Sequence, residues 1–270
     1  MRDALGIRVQ ERWPGGVRRR AAIFGAVSAA LLLLPIWELI VVGARVTPIL
    51  GVDYTLYIDA TARWLAGGPF YDSYQLAGPY GPTDHAVLYP PTAIFLFAPF
   101  TVLPAALWWA IPLGIVAAVT VYWRPDPVVW PFLAICLAWP ATSLTVVVGN
   151  PVLFGVAALA LATIHRWPAA LVVIKPTLFP FALFGVWRRS WWLALGAVVL
   201  VSLPFVAMWG DWVQVVMNSR VGGPFRSLDQ VPLLLFPLIV WLGRTRPDPV
   251  PEPRQVVSVR AELEPAQATG

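Results

Sequence analysis

The chain has 270 residues, with 19 basic against 14 acidic side chains and a pI near 9.8. Mean hydropathy is +0.71 and only 12% of residues are charged, about half the share of a soluble domain, which excludes a water-soluble core. The lone cysteine, Cys136, excludes a disulfide framework and a thiolate metal site, and reads as a buried structural thiol.

The first apolar run, 21–43, contains one charged residue, Glu38. As a helix it is roughly 34 Å long, enough to cross a bilayer with some tilt. Arg18-Arg19-Arg20 resembles the head of a cleaved signal peptide, but the run is too long for one and more apolar segments follow. A retained span is expected.

Further apolar segments lie near 91–103, 105–122, 128–147, 151–164, 168–187, 191–209 and 231–243. The expected fold is an all-α polytopic integral membrane protein, a bundle of about eight transmembrane or re-entrant helices. Arginines gather at segment ends (Arg18 to Arg20, Arg166, Arg188, Arg189, Arg244 and Arg246), which explains the basic pI by the positive-inside rule without nucleic acid.

This pattern puts segment 1–20 and tail 244–270 in the cytoplasm, with 21–243 as the membrane domain. The tail, rich in Pro, Glu and Arg, reads as disordered. Loops 44–90 and 210–230 fall on the extracytoplasmic side. The first of them carries Asp53, Asp59, Asp72 and Asp84 against Arg45 and Arg63.

Between 88 and 148 three apolar segments join two ends on the same side. Either one segment is re-entrant, or Trp139-Pro140 splits the third into two short helices. Lys175-Pro176-Thr177 interrupts 168–187, so two short helices meeting at Lys175 are expected there.

Residues 53–66 form a helical stripe of Tyr54, Tyr57, Ile58, Thr61, Trp64 and Leu65, an amphipathic helix on the outer interface. Tyr54, Tyr57 and Trp64 are placed to stack on a sugar or line a lipid entry. Asp59 is four residues before Arg63 and is expected to pair with it. Asp53 precedes the stripe, either as its N-cap or as a proton acceptor at the mouth of the bundle.

Lys175 is the only lysine in the sequence. A cation at membrane depth costs on the order of 2.5–3.5 kcal/mol, so it faces a cavity or an anion, a lipid-linked phosphate being one. Snorkelling, or pairing with Glu38, is the plainer alternative. Arg220 and Arg226 lie in an external Gly-Gly-Pro loop that could clamp a phosphate. His85 lies before re-entry with no second histidine or cysteine near it, which argues against a zinc site, and His165 is a segment-end residue without a role. No P-loop, Gly-x-Gly-x-x-Gly, His-Glu-x-x-His or Gly-x-Ser-x-Gly occurs, so nucleotide-driven chemistry has no visible site.

Several short motifs recur in a telling order. They are Asp53-Tyr54-x-x-Tyr57-x-x-Ala60, Leu65-Ala-Gly67-Gly68-Pro69-Phe-Tyr71-Asp72, Tyr89-Pro90-Pro91, Ala98-Pro99-Phe-x-x-Leu103-Pro104, Gly149-Asn150, Lys175-Pro176-Thr177, Arg188-Arg189-Ser-Trp191 and Asn218-Ser219. Over 45–230 this order resembles glycosyltransferase family 87, polytopic GT-C enzymes that include polyprenol-phosphate-mannose-dependent α-1,2-mannosyltransferases.

The resemblance implies a GT-C-like fold and transfer of a hexose, mannose in the type members, from polyprenyl phosphate to an acceptor hydroxyl on an extracytoplasmic glycolipid or glycan. It implies Asp53 as general base and Lys175 on the lipid-phosphate side, with Asn150 in the substrate site. Tyr54, Tyr57, His85, Arg220 and Arg226 complete the candidate binding residues. A monophosphate donor requires no divalent cation and no further cofactor.

Two departures stand out. Where the family has Gly-Gln-x-Asn, this chain has Gly149-Asn150-Pro151-Val152, and it reads as shortened at the C-terminus, which allows for a partner membrane subunit. Two rival functions remain: a non-catalytic lipid-phosphate-binding partner or scaffold of envelope glycan assembly, and a transporter or flippase. Against the transporter, the hydropathy shows no repeated half-units.

Overall fold

The computed structural model describes residues 14–43, 50–81, 86–219 and 228–247, with backbone alone at 14–18 and 38–43. Among the described residues the chain is helical, with no strand beyond two isolated bridges, Tyr80 with Ser219 and Pro125 with Arg244.

Helix α1 (Pro14–Gly43) precedes α2 (Val52–Leu65) and the short α3 (Ser73–Ala77). A tight 3-10 turn leads into α4 (Ile94–Phe97), and a second leads out of it. Helices α5 (Ala106–Trp123), α6 (Trp130–Ala138), α7 (Pro140–Val148) and α8 (Val152–His165) follow. A 3-10 run, Trp167–Ile174, leads to α9 (Phe179–Ala182). Then come α10 (Arg189–Ser202), α11 (Val206–Asn218) and α12 (Val231–Leu242).

Among the described residues three helices are long and apolar enough to cross a membrane: Arg19–Trp37, Ala106–Trp123 and the continuous run Arg189–Asn218. The bent pair Pro127–Ala138 and Pro140–Val148 adds a fourth if taken as one span. The other expected segments are shorter apolar helices, Pro91–Thr101, Val152–His165, Pro176–Gly185 and Leu228–Leu242. Only 6% of the Arg19–Trp37 window, and 6% of the Arg189–Asn218 window, is buried within the protein. Such outward apolar faces suit a helical membrane protein, because lipid tails solvate them and water does not.

The chain is interrupted at Lys175-Pro176, as expected, and at Trp139-Pro140, one of the two alternatives for the middle segments, and one rule explains both. A residue before proline is pushed out of the helical region by the ring's Cδ. Trp139 is extended (φ −65°, ψ 127°) before Pro140, and α6 and α7 meet at 60°. Lys175 (φ −115°, ψ 93°) precedes Pro176 and ends the 3-10 run.

Helix α8 is the central post. Its Val152, Leu153, Val156, Leu159, Ala160 and Ala162 are buried against α5, the 167–174 run and α12. Helix α2 is amphipathic as expected, but its buried face is Tyr57, Ala60 and Thr61, while Leu65 is 55% exposed.

The expected Asp59–Arg63 pair is replaced. Arg63 bridges Asp72 at 2.9 Å and donates from Nε to Pro69 O at 2.7 Å and from Nη2 to Phe70 O at 3.2 Å. The Gly67-Gly68-Pro69 turn folds residues 69–72 back onto the end of α2. A carboxylate with two carbonyls there engages the planar guanidinium fork better than one carboxylate a turn back.

Two non-glycine residues among those described have positive φ, Arg124 (49°) and Arg166 (63°). Each terminates a helix, α5 and α8, in a conformation that costs an L-residue about 1–2 kcal/mol.

Candidate functional site

Three loops and a helix start converge where α2, α5, α8 and α12 begin. Gly51 adopts a left-handed conformation (φ 75°) and donates its N–H to Val147 O at 2.9 Å, joining the start of α2 to the end of α7. Gly51, rather than Asp53, therefore occupies the N-cap. Asp53 lies within the first turn of α2, where the helix dipole favours a carboxylate.

The facing corner is Gly149-Asn150. Gly149 ends α7 with φ 71°, and an added Cβ would lie 2.8 Å from Trp109 Cζ2 and 3.1 Å from Tyr54 Cβ. Consecutive tryptophans at the start of α5 clamp this corner. Trp108 Nε1 donates to Gly149 O at 2.8 Å and Trp109 Nε1 to Val146 O at 2.7 Å. Gly149→Ala should lower stability by about 1–3 kcal/mol and displace Asn150, checked by thermal unfolding in detergent.

Asn150 is oriented by its own turn. Its Oδ1 accepts the Val152 N–H at 3.1 Å and the Tyr89 hydroxyl at 3.4 Å, which turns the amide N–H to Asp53 Oδ2 at 2.5 Å. Tyr89 is buried, with its ring edge-on to Tyr57 and Phe97. Burial pushes its hydroxyl well above the usual tyrosine range, helped by Tyr57 and by the Asp53 charge. It therefore remains a donor at neutral pH.

Lys175 approaches the ring of Tyr89. Its ammonium lies 5.6 Å from the Tyr89 ring centre and donates to Gln230 Oε1 at 2.6 Å. Gln230 is the residue from which α12 starts. Asp53, Asn150, Tyr89, Lys175 and Gln230 are thus linked in one cluster.

Two apolar cavities lie beside chain neighbours of this cluster, and no cluster residue lines either of them. A cavity of about 370 Å³ is bounded by Pro90 and Ile174, the chain neighbours of Tyr89 and Lys175, and by Leu195, Val198, Val206 and Trp209. A second, of about 540 Å³, shares Thr92, Ile174 and Val198 with it and extends along α10 to Trp167 and Ser190. The α10 residues from 190 to 202 that line one cavity or the other span roughly 18 Å along the helix.

The structure brings together Asp53, Asn150 and Lys175 of the candidate residues. Tyr57 is 5% exposed and stacks on Phe97 at 5.1 Å, while Tyr54 packs on Trp108 and Trp109, so both rings support the corner that seats Asp53 and Asn150. Trp64 leans on Phe205. His85, Arg220, Arg226, the Glu38 side chain and the tail from 248 lie outside the described residues.

Sequence reasoning assigned no role to Tyr89 or Gln230. Tyr89 was visible as the head of Tyr89-Pro90-Pro91, and Gln230 as the amide directly before an apolar segment. Comparison of the chain with protein-family models, curated proteins and solved structures finds no match.

Proposed function

We propose that the protein is a GT-C-type membrane glycosyltransferase that moves a hexose from a polyprenyl-phosphate donor to an acceptor hydroxyl on the extracytoplasmic side. The observation that supports this reading is the polar cluster of Asp53, Asn150, Tyr89, Lys175 and Gln230, with apolar cavities lined by its chain neighbours Pro90 and Ile174. A lipid-linked sugar phosphate has the matching parts: apolar tail, phosphate, sugar.

In this reading the tail lies along α10, and Lys175 with Gln230 receives the phosphate. Asp53 accepts the proton of the acceptor hydroxyl as its oxygen bonds to the anomeric carbon. The bond from that carbon to the phosphate oxygen breaks, and the negative charge departs on the lipid phosphate beside Lys175. Attack from the face opposite the leaving group inverts the anomeric configuration. The eight apolar segments act as transmembrane or re-entrant helices around this cleft.

The test is incubation of purified protein with radiolabelled polyprenyl phosphomannose and an envelope lipid extract. Label appearing in a new glycolipid is the expected result. Intact donor binding without transfer to any component would support the scaffold alternative and sink the enzyme.

Filling the cavities separates tail from head. Val198→Trp, at the junction of both cavities, should raise KM at least ~5-fold for a long-chain donor. A short-chain, water-soluble donor should keep its wild-type KM, and equal losses for both would remove the cavities from the reading.

A further inference from the structure

Helices α5, α8 and α12 each begin at the polar cluster and end together at the other extreme of the bundle. Each is followed by an arginine: Arg124, Arg166 and Arg244. Arg166 Cζ lies 4.9 Å from the ring centres of both Phe184 and Trp241. Arg244 lies 4.4 Å from Trp241 and 5.8 Å from Trp123, and Arg246 lies 5.0 Å from Tyr122. Arg188 and Arg189 join this end through Gly185, where an added Cβ would be 2.3 Å from Arg166 O. Asp126, which caps its own turn through the Val128 N–H, belongs to the same end.

Arginines at helix ends complement the helix dipole, and Arg166 Nη1 does donate to Ala162 O and Thr163 O. Two features go beyond that. Arg124 and Arg166 stand in positive-φ positions that favour glycine, which would close the helix without strain. The guanidiniums of Arg166, Arg244 and Arg246 are also held against aromatic rings, which preorganises them as planar forks suited to phosphate oxygens.

The arginines gather at the ends of two helices long and apolar enough to cross a membrane. Trp123 closes the Ala106–Trp123 span and Arg189 opens the Arg189–Asn218 span. Trp167 (43% exposed), Trp187 (94%) and Trp192 (57%) flank the arginines, as tryptophans do at membrane interfaces. We infer that this arginine–aromatic collar is a binding site for the phosphates of anionic phospholipid headgroups, which anchor the bundle at one leaflet. The collar is independent of the proposed transferase activity.

The full chain in neutral detergent is titrated with phosphatidylglycerol, phosphatidylcholine or inorganic phosphate while its unfolding temperature is followed. Phosphatidylglycerol should raise that temperature by about 5 °C, and the other two should not. Arg124→Gly releases the left-handed strain, so without lipid it should melt at or above the wild-type temperature yet gain less from phosphatidylglycerol. Adding Arg244→Gln and Arg246→Gln should remove most of the gain.

An equal response to phosphatidylcholine would overturn the inference, as would a full response to inorganic phosphate. So would an Arg124→Gly protein that melts lower without lipid and keeps the whole increment, because its arginine then serves the fold alone.

Discussion

Asp53→Asn should lose at least about 10²-fold in sugar transfer while binding the donor as the wild type does. The substitution is close to isosteric, and its amide oxygen can still accept the Asn150 N–H that now reaches Asp53 Oδ2. The corner formed by Gly51, Gly149 and the two tryptophans is untouched, so folding should be unchanged. What disappears is the capacity to take a proton. Wild-type turnover in this variant would end the assignment of Asp53 as base. A companion substitution separates positioning from basicity. Asn150→Asp keeps an oxygen for the Val152 N–H and the Tyr89 hydroxyl but presents a second oxygen to Asp53. It should impair transfer at least as much as Asn150→Ala, and a milder effect would mean that Asn150 serves the turn alone.

Lys175→Ala should weaken donor binding by about 10–100-fold, the range expected for a charge-assisted hydrogen bond to phosphate. Gln230 and the Tyr89 ring contact the ammonium, so in the proposed role the effect should appear in donor affinity before it appears in the chemical step. Lys175→Met, which keeps the aliphatic stem, should behave like the alanine variant, showing that charge rather than packing is lost. Equilibrium binding of labelled polyprenyl phosphate sugar decides the matter. Unchanged affinity in both variants would remove Lys175 from the site.

The two ends of the site were legible in the chain for different reasons. Lys175 stood out because a single lysine in an apolar segment is costly and needs an explanation. Asp53 stood out by position, ahead of an amphipathic stripe. What joins them was not legible. Tyr89 and Gln230 are 55 or more residues from some of their partners, and neither has a charge or a motif that predicts a long-range contact. Arg63 taught the same lesson on a smaller scale. Helical spacing pointed to Asp59, but a glycine turn brought Asp72 closer.

From residue order alone came the helical class, the apolar segments and the interruption at Lys175-Pro176, with Trp139-Pro140 as one of two alternatives, because hydropathy, span length and the steric demand of proline act over a few neighbours. Folding in three dimensions decided which segments are long continuous helices, that α2 buries Ala60 in place of Leu65, and that Asn150 bridges Asp53 to Tyr89. Those outcomes depend on packing between segments distant in sequence, where a left-handed glycine or a tryptophan N–H selects one arrangement among many that the local pattern permits.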